Sequence, residues 1–293
     1  MSTASSADSL RAALRWATAA IAASGSETAR LDAEVLLAHL LGVPRASLLA
    51  HSQRLLSVDE CQRYTALVER RAAREPVAYL VGHRAFYDVD LTVDARVLIP
   101  RPETEHLVDS ALAWARAQRR RDLRIVDVGT GSGAIALVLA RHLAQASVWA
   151  VDLSAGALEV ARANLESYGL ASRVSLVQGD LLSGLAGPFD LIVANLPYVT
   201  SVELPTLAAE VAVYEPQLAL DGGPDGLSLI ERLVLQARDR LARPSLLLLE
   251  IDPRQAERVR AMAAAALPDA EIGTLCDYAG WGRVVHIENR IRI

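Results

Sequence analysis

The fold of this chain is decided by the stretch Asp127-Val128-Gly129-Thr130-Gly131-Ser132-Gly133. It ends an apolar run at residues 125–128, which is predicted to be a β-strand, and a helix follows from Ala134. Glycines between a strand and a helix let backbone amides approach a ligand closely at the carboxyl edge of a sheet, where open α/β folds bind ligands. The stretch therefore predicts a cofactor site.

Strands and helices alternate beyond this stretch. The predicted strands are 125–128, 148–151, 174–177, 191–194, 246–251, a segment near 272, and 284–287; the predicted helices start at 134 and 154, span about 229–241, and follow 253. Repeated β-α-β units require a parallel sheet with helices on both faces. The closing strand pair, with Gly280 and Gly282 between its members, is expected to form an antiparallel edge. We predict a Rossmann-like α/β fold with a mostly parallel sheet and an antiparallel edge strand.

The first part of the chain has helical spacing instead. Leu31, Val35, Leu36 and Leu40 fall on one face of a predicted helix that Gly42 and Pro44 end. Ser57 and Glu60 form a capping box at the start of another helix. We therefore predict a small helical bundle at residues 1–82.

Between residues 84 and 99 the apolar period shifts toward two, which predicts a short β-hairpin. Pro102 is then expected in the first turn of a helix that runs to the basic stretch 119–121. The chain is thus predicted to divide into a helical domain at 1–82, a β-hairpin linker at 83–100 and an α/β domain at 101–293.

Composition limits the partners and the chemistry. The 293 residues carry a formal net charge of −5, which gives no electrostatic support for binding to a phosphate backbone. All thirty basic residues are arginine, so lysine Schiff bases and lysine-dependent phosphate loops are excluded. Residues 1–8 lack the features of a secretory signal, and no run approaches the roughly 20 apolar residues that span a bilayer. We expect a cytoplasmic protein without membrane contact.

The glycine pattern alone leaves the cofactor open. Gly129, Gly131 and Ala134 also satisfy the dinucleotide fingerprint, and Asp152 ends the second strand where a ribose-binding carboxylate belongs. NAD and S-adenosylmethionine both carry ribose hydroxyls. A purely structural tight turn, and for Asp152 a carboxylate at a helix N-terminus, are the alternatives.

Two further motifs follow later strands. Asp180, in Gly179-Asp180-Leu181, can accept a hydrogen bond from an exocyclic amine such as adenine N6, although turn chemistry is the alternative. The fourth strand delivers Asn195-Leu196-Pro197-Tyr198 to the same edge. The Asn195 side chain and the next backbone carbonyl offer two acceptors that can hold both hydrogens of a planar NH2 group, with Tyr198 as a flat surface beside it. A redox enzyme has no use for such a clamp, although an Asn-x-Pro turn is the plainer alternative.

With these motifs in place, the sequence resembles the release factor glutamine methyltransferase family. The resemblance extends over nearly the whole chain and includes residues 74–82, 97–105, 214–220, 222–227 and 280–285. It implies a class I enzyme that uses S-adenosylmethionine to methylate the glutamine of the Gly-Gly-Gln motif in class 1 peptide chain release factors. It also implies that the helical domain at 1–82 helps to recognise the release factor.

The resemblance assigns roles to the residues quoted above. The cofactor-binding residues it implies are Gly129, Thr130, Gly131, Ser132, Gly133, Asp152, Asp180, Leu181 and Asn195. The catalytic and substrate-binding residues it implies are Asn195, Leu196, Pro197 and Tyr198, with no metal. We expect direct in-line attack of the amide nitrogen on the sulfonium methyl, with positioning in place of a general base. We expect a monomer that does not bind nucleic acid directly.

Two positions depart from the family pattern. Leu196 replaces the first proline of Asn-Pro-Pro-Tyr, and leucine there also occurs in ribosomal RNA adenine dimethyltransferases. Asp252 follows Glu250-Ile251 where a glycine is usual, and the sequence offers no physical account of that change. The alternatives that remain are an adenine-N6 methyltransferase acting on RNA or DNA, a non-catalytic cofactor-binding regulator and a nicotinamide-dependent oxidoreductase.

Overall fold

The computed structural model describes residues 9–277 and 279–290. The start of the chain, where we looked for a secretory signal, lies outside these residues. The helices are α1 (Leu10–Ala22), α2 (Ala29–Leu41), α3 (Arg45–Ala50), α4 (Val58–Ala72), α5 (Val77–Val81), α6 (Thr104–Ala117), α7 (Ala134–His142), α8 (Ala155–Ser167), α9 (Ala209–Tyr214), α10 (Ser228–Arg238) and α11 (Ala256–Ala266). The strands are β1 (His83–Phe86), β2 (Val89–Thr92), β3 (Arg124–Val128), β4 (Ser147–Asp152), β5 (Val174–Gln178), β6 (Phe189–Ala194), β7 (Leu241–Glu250), β8 (Glu271–Cys276) and β9 (Gly282–Asn289).

The chain divides into two compact units. The first unit runs to His83 and also takes in Ala208–Tyr214, and the second comprises Arg84–Leu207 and the chain from Glu215 onward. The segment expected to be a hairpin linker is therefore part of the second unit from Arg84. Its β2 strand is tied to α8, because Thr92 N–H donates to Asn164 Oδ1 at 2.8 Å and Asn164 Nδ2 donates back to the Thr92 carbonyl at 3.0 Å.

Helices α1 to α5 and α9 make up the first unit, with its apolar core centred on Tyr64. The predicted capping box at the start of α4 is confirmed: Ser57 N–H donates to Glu60 Oε2 at 2.8 Å, and Glu60 N–H donates to Ser57 Oγ at 3.2 Å. Gly42 ends α2 in the left-handed conformation, as the sequence predicts.

The predicted apolar face of α2 is wrong by about one position. Leu31 is 43% exposed, whereas Asp32, Leu36 and Leu37 are buried. Asp32 turns inward because Arg71 pairs with it, with Arg71 Nε 2.8 Å from Asp32 Oδ2. A carboxylate can be buried when a charged partner and hydrogen bonds compensate it. The buried face of α2 therefore includes the ion-paired Asp32 as well as leucines.

Helix α9 joins the first unit through the same cluster of charges. Glu210 accepts from Arg71 Nη2 at 3.0 Å and from Arg74 Nη2 at 2.6 Å. The Tyr214 hydroxyl donates to the Ala73 carbonyl at 2.8 Å. These contacts join segments far apart in sequence, and for that reason the spacing of apolar residues could not predict them.

The second unit is built on a seven-stranded sheet in the order β5-β4-β3-β6-β7-β9-β8. Strands β3 to β7 are parallel, and β9 runs antiparallel to both of its neighbours. The predicted α/β class is confirmed. The antiparallel strand lies second from the edge, because β8 pairs outside it. Along the chain the strand order reverses between β3 and β6, and a crevice forms at their carboxyl ends.

Two predicted boundaries shift. Helix α6 begins at Thr104, and Pro102 lies in the preceding turn, where its carbonyl accepts Glu105 N–H at 3.1 Å. Strand β7 begins at Leu241, within the segment expected to be helical, because β6 already pairs with it there. Among the described residues, no helix is both long and apolar enough to cross a membrane.

Candidate active site

The glycine motif forms the loop between β3 and α7. The N–H groups of Gly129 and Thr130 both donate to the Val151 carbonyl, at 2.8 and 2.9 Å, which ties the loop to the end of β4. Gly129, Gly131 and Gly133 have φ values of 75°, 55° and 80°, a region that favours glycine. A Cβ on Gly129 would also stand 3.0 Å from Leu196 Cδ2. Residues with a side chain would therefore be strained at these three positions of the loop.

A buried carboxylate lies beneath this loop. Asp127 Oδ2 accepts from the Thr130 hydroxyl at 2.6 Å and from Ala136 N–H at 3.1 Å. Burial raises the pKa of Asp127 to about 7. Because the Thr130 side chain turns inward to reach it, Thr130 shapes the loop from below.

A cavity of about 230 Å³ lies at the carboxyl edge of the sheet. Its lining brings together most of the predicted site residues, namely Gly129, Gly131, Asp152, Asp180, Leu181, Asn195, Leu196 and Pro197. Thr130, Ser132, Gly133 and Tyr198 are not part of the lining. Sequence reasoning missed other lining residues, among them Arg96, Leu98, Leu153, Leu218, Leu229 and Arg232.

Asp152 lies between the glycine loop and α8. Its Oδ2 accepts from Gly131 N–H at 2.9 Å, and its Oδ1 accepts from Ser154 N–H, also at 2.9 Å. Burial raises the pKa of Asp152. The carboxylate therefore both lines the cavity and stabilises the start of α8, so the two interpretations drawn from the sequence are compatible.

Asp180 has a partner that the sequence did not suggest. Arg232, on α10, donates a hydrogen bond to Asp180 Oδ2, and both side chains are partly exposed. Leu181 follows with φ 55°, which is unusual for a residue with a side chain. The turn after β5 is thus fixed by a strained residue and an ion pair at the cavity wall.

The tetrapeptide leaves β6 and enters the same cavity. Asn195 Nδ2 donates to Thr104 Oγ1 at 3.0 Å, and the Leu196 side chain is buried against Gly129. Tyr198 is largely covered, and burial raises its pKa to about 12. Its carbonyl accepts from Gln255 Nε2 at 2.9 Å. The tetrapeptide is therefore anchored at its first residue through the side chain and at its last residue through the backbone carbonyl.

The segment at residues 222–227 supports the tetrapeptide from outside. A Cβ on Gly222 would stand 2.7 Å from the Pro197 carbonyl oxygen. Gly226 has φ 71°, and a Cβ there would collide with the Tyr198 carbonyl. These two glycines let the loop lie directly on the backbone of residues 197 and 198.

Asp252, which the sequence left unexplained, has a definite structural role. It caps the short turn Pro253–Gln255: Asp252 Oδ1 accepts from Arg254 N–H at 2.9 Å, and Asp252 N–H donates to Gln255 Oε1 at 3.2 Å. Gln255 is the residue that donates to the Tyr198 carbonyl. Asp252 therefore orients a side chain that anchors the tetrapeptide.

Glu250 is a residue near the site that sequence reasoning did not select. It ends β7, is 2% exposed, and lies beside the side chains of Thr104 and Asn195. Burial raises its pKa to about 7, while the polar side chains of Thr104 and Asn195 and the charge of Arg283 lower it. The signal was present in the sequence, because an acid closes an otherwise apolar strand of four leucines.

Glu250 is expected to make folding stability depend on pH. Its pKa of about 7 in the folded protein exceeds the ordinary value of 4.5. The stability contributed by its protonated form is therefore complete below pH 4.5 and is lost as pH rises through 7. The difference corresponds to about 3 kcal/mol. We expect Glu250→Gln to raise the free energy of unfolding, relative to the wild type, by about that much more at pH 9 than at pH 5. Urea unfolding at both pH values measures this, and an equal effect at the two would contradict it.

Comparison with known proteins agrees with this site. Residues 12–82 match the family model described as the PrmC N-terminal domain, and residues 125–214 match a methyltransferase domain. A curated release factor glutamine methyltransferase from Moorella thermoacetica is 44% identical over 275 residues, which cover 94% of this chain and 96% of the relative. This chain belongs to the release factor glutamine methyltransferase family.

Other relatives agree with this membership. The release factor glutamine methyltransferase of Rhodopirellula baltica is 39% identical over 279 residues, and the match covers 94% of each chain. A solved methyltransferase from Pyrococcus furiosus is 18% identical, with a TM-score of 0.51 over 77% of this chain and 98% of its own, and this likeness shows the fold. The predicted family, the methyltransferase class and S-adenosylmethionine as cofactor are confirmed. The roles of the individual site residues stay predictions.

Proposed function

We propose that this methyltransferase transfers a methyl group from S-adenosylmethionine to the side-chain amide nitrogen of the glutamine in the Gly-Gly-Gln motif of class 1 release factors. The observation that carries the proposal is the placement of Asn195 in the cavity that also holds Gly129, Gly131 and Asp152. An amide-binding side chain and a cofactor loop must share one space for transfer between them. The curated relatives carry the name of this reaction.

The residues around the cavity fit the cofactor. A Cβ on Gly131 would meet open space, which leaves room for a ligand against the loop. Asp152 and Asp180 supply carboxylates at the places proposed for ribose hydroxyls and an adenine amine. When bound, S-adenosylmethionine supplies an electrophilic methyl group on a sulfonium.

The proposed task of the protein is to orient a weak nucleophile. Asn195 Oδ1 and the Leu196 carbonyl each accept one hydrogen of the glutamine amide, which fixes the nitrogen and favours the charge that builds on it. The carbonyl at position 196 belongs to the backbone, so leucine in place of proline leaves this acceptor intact. Tyr198 completes the proposed substrate site, and its carbonyl, bound by Gln255, anchors the tetrapeptide 195–198.

The remaining assignments are also part of this proposal. Residues 1–82 serve as the recognition domain for the release factor, consistent with the match to the PrmC N-terminal domain over 12–82. Residues 83–100 are proposed to serve as a β-hairpin linker, and residues 101–293 as the methyltransferase domain. We propose that the enzyme works as a monomer in the cytoplasm, on protein and not on nucleic acid.

Transfer of labelled methyl from S-adenosylmethionine tests the proposal. Three acceptors are compared: a recombinant class 1 release factor, the same factor with Gly-Gly-Glu in place of Gly-Gly-Gln, and a mixture of ribosomal RNA and DNA. We expect label only on the factor with glutamine. Label on nucleic acid would overturn the proposal in favour of an adenine-N6 methyltransferase.

A further inference from the structure

Three side chains from neighbouring elements meet behind the cavity. Asn195 follows β6, Thr104 begins α6 and Glu250 ends β7. Thr104 and Glu250 are 5% and 2% exposed, while Asn195 also lines the cavity. Thr104 and Glu250 therefore lie on the protein side of Asn195, away from the space proposed for the substrate.

The hydrogen bond between Asn195 and Thr104 has a definite direction. Glu250 lies beside Thr104 and, when ionised, can only accept, which favours the orientation in which the Thr104 hydroxyl proton points toward it. The hydroxyl oxygen is then left to accept, and Asn195 Nδ2 donates to it at 3.0 Å. The Asn195 side chain also lies beside Glu250. The amide nitrogen of Asn195 is thus held on the protein side by Thr104.

We propose that Thr104 and Glu250 are positioning residues for methyl transfer, which hold the Asn195 amide with its nitrogen inward and its oxygen toward the substrate. The inference rests on the proposed function, because it assigns Asn195 Oδ1 as an acceptor for the glutamine amide. A reversed amide would present NH2 to the NH2 of the substrate and would repel it. Asparagine alone does not choose between the two orientations.

The free-energy cost of burying a carboxylate at position 250 supports a positioning role for Glu250 over a role in packing alone. Its Oε2 has no hydrogen-bond partner among the described residues, and Glu103 adds a second negative charge nearby, which Arg283 offsets in part. A buried group left partly unsatisfied is unfavourable, and leucine would fill the end of β7 at lower cost. The carboxylate is explained if its acceptor function is required.

Thr104→Val is the first test, because it removes the hydroxyl and keeps the shape. We expect kcat for release factor methylation to fall about 10- to 100-fold, while the KM for S-adenosylmethionine stays within about twofold. Thr104→Ser restores the hydroxyl and should recover most of the activity. Thr274→Val is the matched control, because Thr274 lies in β8 and its buried Oγ1 has no partner among the described residues; it should leave kcat unchanged.

Glu250 is tested by a pair of variants. Glu250→Gln keeps an oxygen acceptor for the Thr104 hydroxyl and should retain activity within about threefold. Glu250→Ala removes the acceptor and should lose as much activity as Thr104→Val. Thermal unfolding of each variant separates this loss from misfolding. Glutamine and leucine fill a similar volume, but only glutamine has an oxygen acceptor, so activity in Glu250→Gln but not in Glu250→Leu would not be explained by packing alone. Glu250→Leu should therefore be as inactive as Glu250→Ala.

The outcomes separate the inference from the function it rests on. If the wild type labels the release factor and Thr104→Val behaves like Thr274→Val, the positioning role is overturned. Loss of cofactor affinity in parallel with kcat would also overturn it, by placing the two residues in the cofactor site. A wild type that does not label the release factor overturns the proposed function first, and the inference falls with it.

Discussion

Asn195→Ala is expected to lower methyl transfer to the release factor by about a thousandfold or more, with the affinity for S-adenosylmethionine kept within about threefold. The side chain lines the cavity and supplies one of the two proposed acceptors, whereas the proposed cofactor contacts of the glycine loop and Asp152 do not depend on it. Single-turnover kinetics give the rate, and equilibrium titration with the cofactor gives the affinity.

The control for this prediction is Asn289→Ala. Asn289 is buried at the end of β9 and pairs with Ser245, toward the opposite edge of the sheet from the cavity. The same truncation there should leave the rate unchanged. Equal loss of rate and cofactor affinity in Asn195→Ala would remove Asn195 from the substrate clamp.

Gly226→Ala should damage both stability and activity. The residue has φ 71°, and its added Cβ would collide with the Tyr198 carbonyl and stand 2.6 Å from Gln255 Nε2. We expect a loss of about 3 kcal/mol in the free energy of unfolding. A displaced Tyr198 carbonyl shifts the whole tetrapeptide, and a shift of about 1 Å at a positioning site costs roughly 100-fold in rate.

Gly184→Ala is the matched control for the collision. Gly184 has φ 87°, but nothing lies within 4 Å of a Cβ there, so the substitution carries the backbone cost alone. We expect Gly184→Ala to lower the free energy of unfolding by about 1 kcal/mol and to keep the wild-type rate of methyl transfer. If the two variants lose the same stability and Gly226→Ala keeps its activity, the loop does not support the tetrapeptide.

The sequence predicted the parts of the site that lie at the carboxyl ends of strands. The glycine loop, Asp152, Asp180 and Asn195 each follow a strand of a parallel sheet, and the carboxyl ends of such strands share an edge. Knowing the strands therefore suffices to bring these residues together. The confirmed capping box of α4 is local in the same way.

The parts that the sequence did not predict depend on contacts between distant segments. Thr104 and Glu250 lie far from Asn195 along the chain, and only the order of strands in the sheet brings them behind it. The inward turn of Asp32 in α2 depends on Arg71 in another helix. Apolar periodicity contains no information about such charged and polar pairs, because it reports burial and not partners.

The most direct measurement for the central claim is mass spectrometry of the release factor after incubation with the enzyme and S-adenosylmethionine. The tryptic peptide that contains Gly-Gly-Gln is fragmented to locate the added mass. We expect one methyl group on the side-chain amide of that glutamine, absent when Asn195→Ala replaces the wild type. A peptide without the methyl group, or a methyl group on another residue, would contradict it.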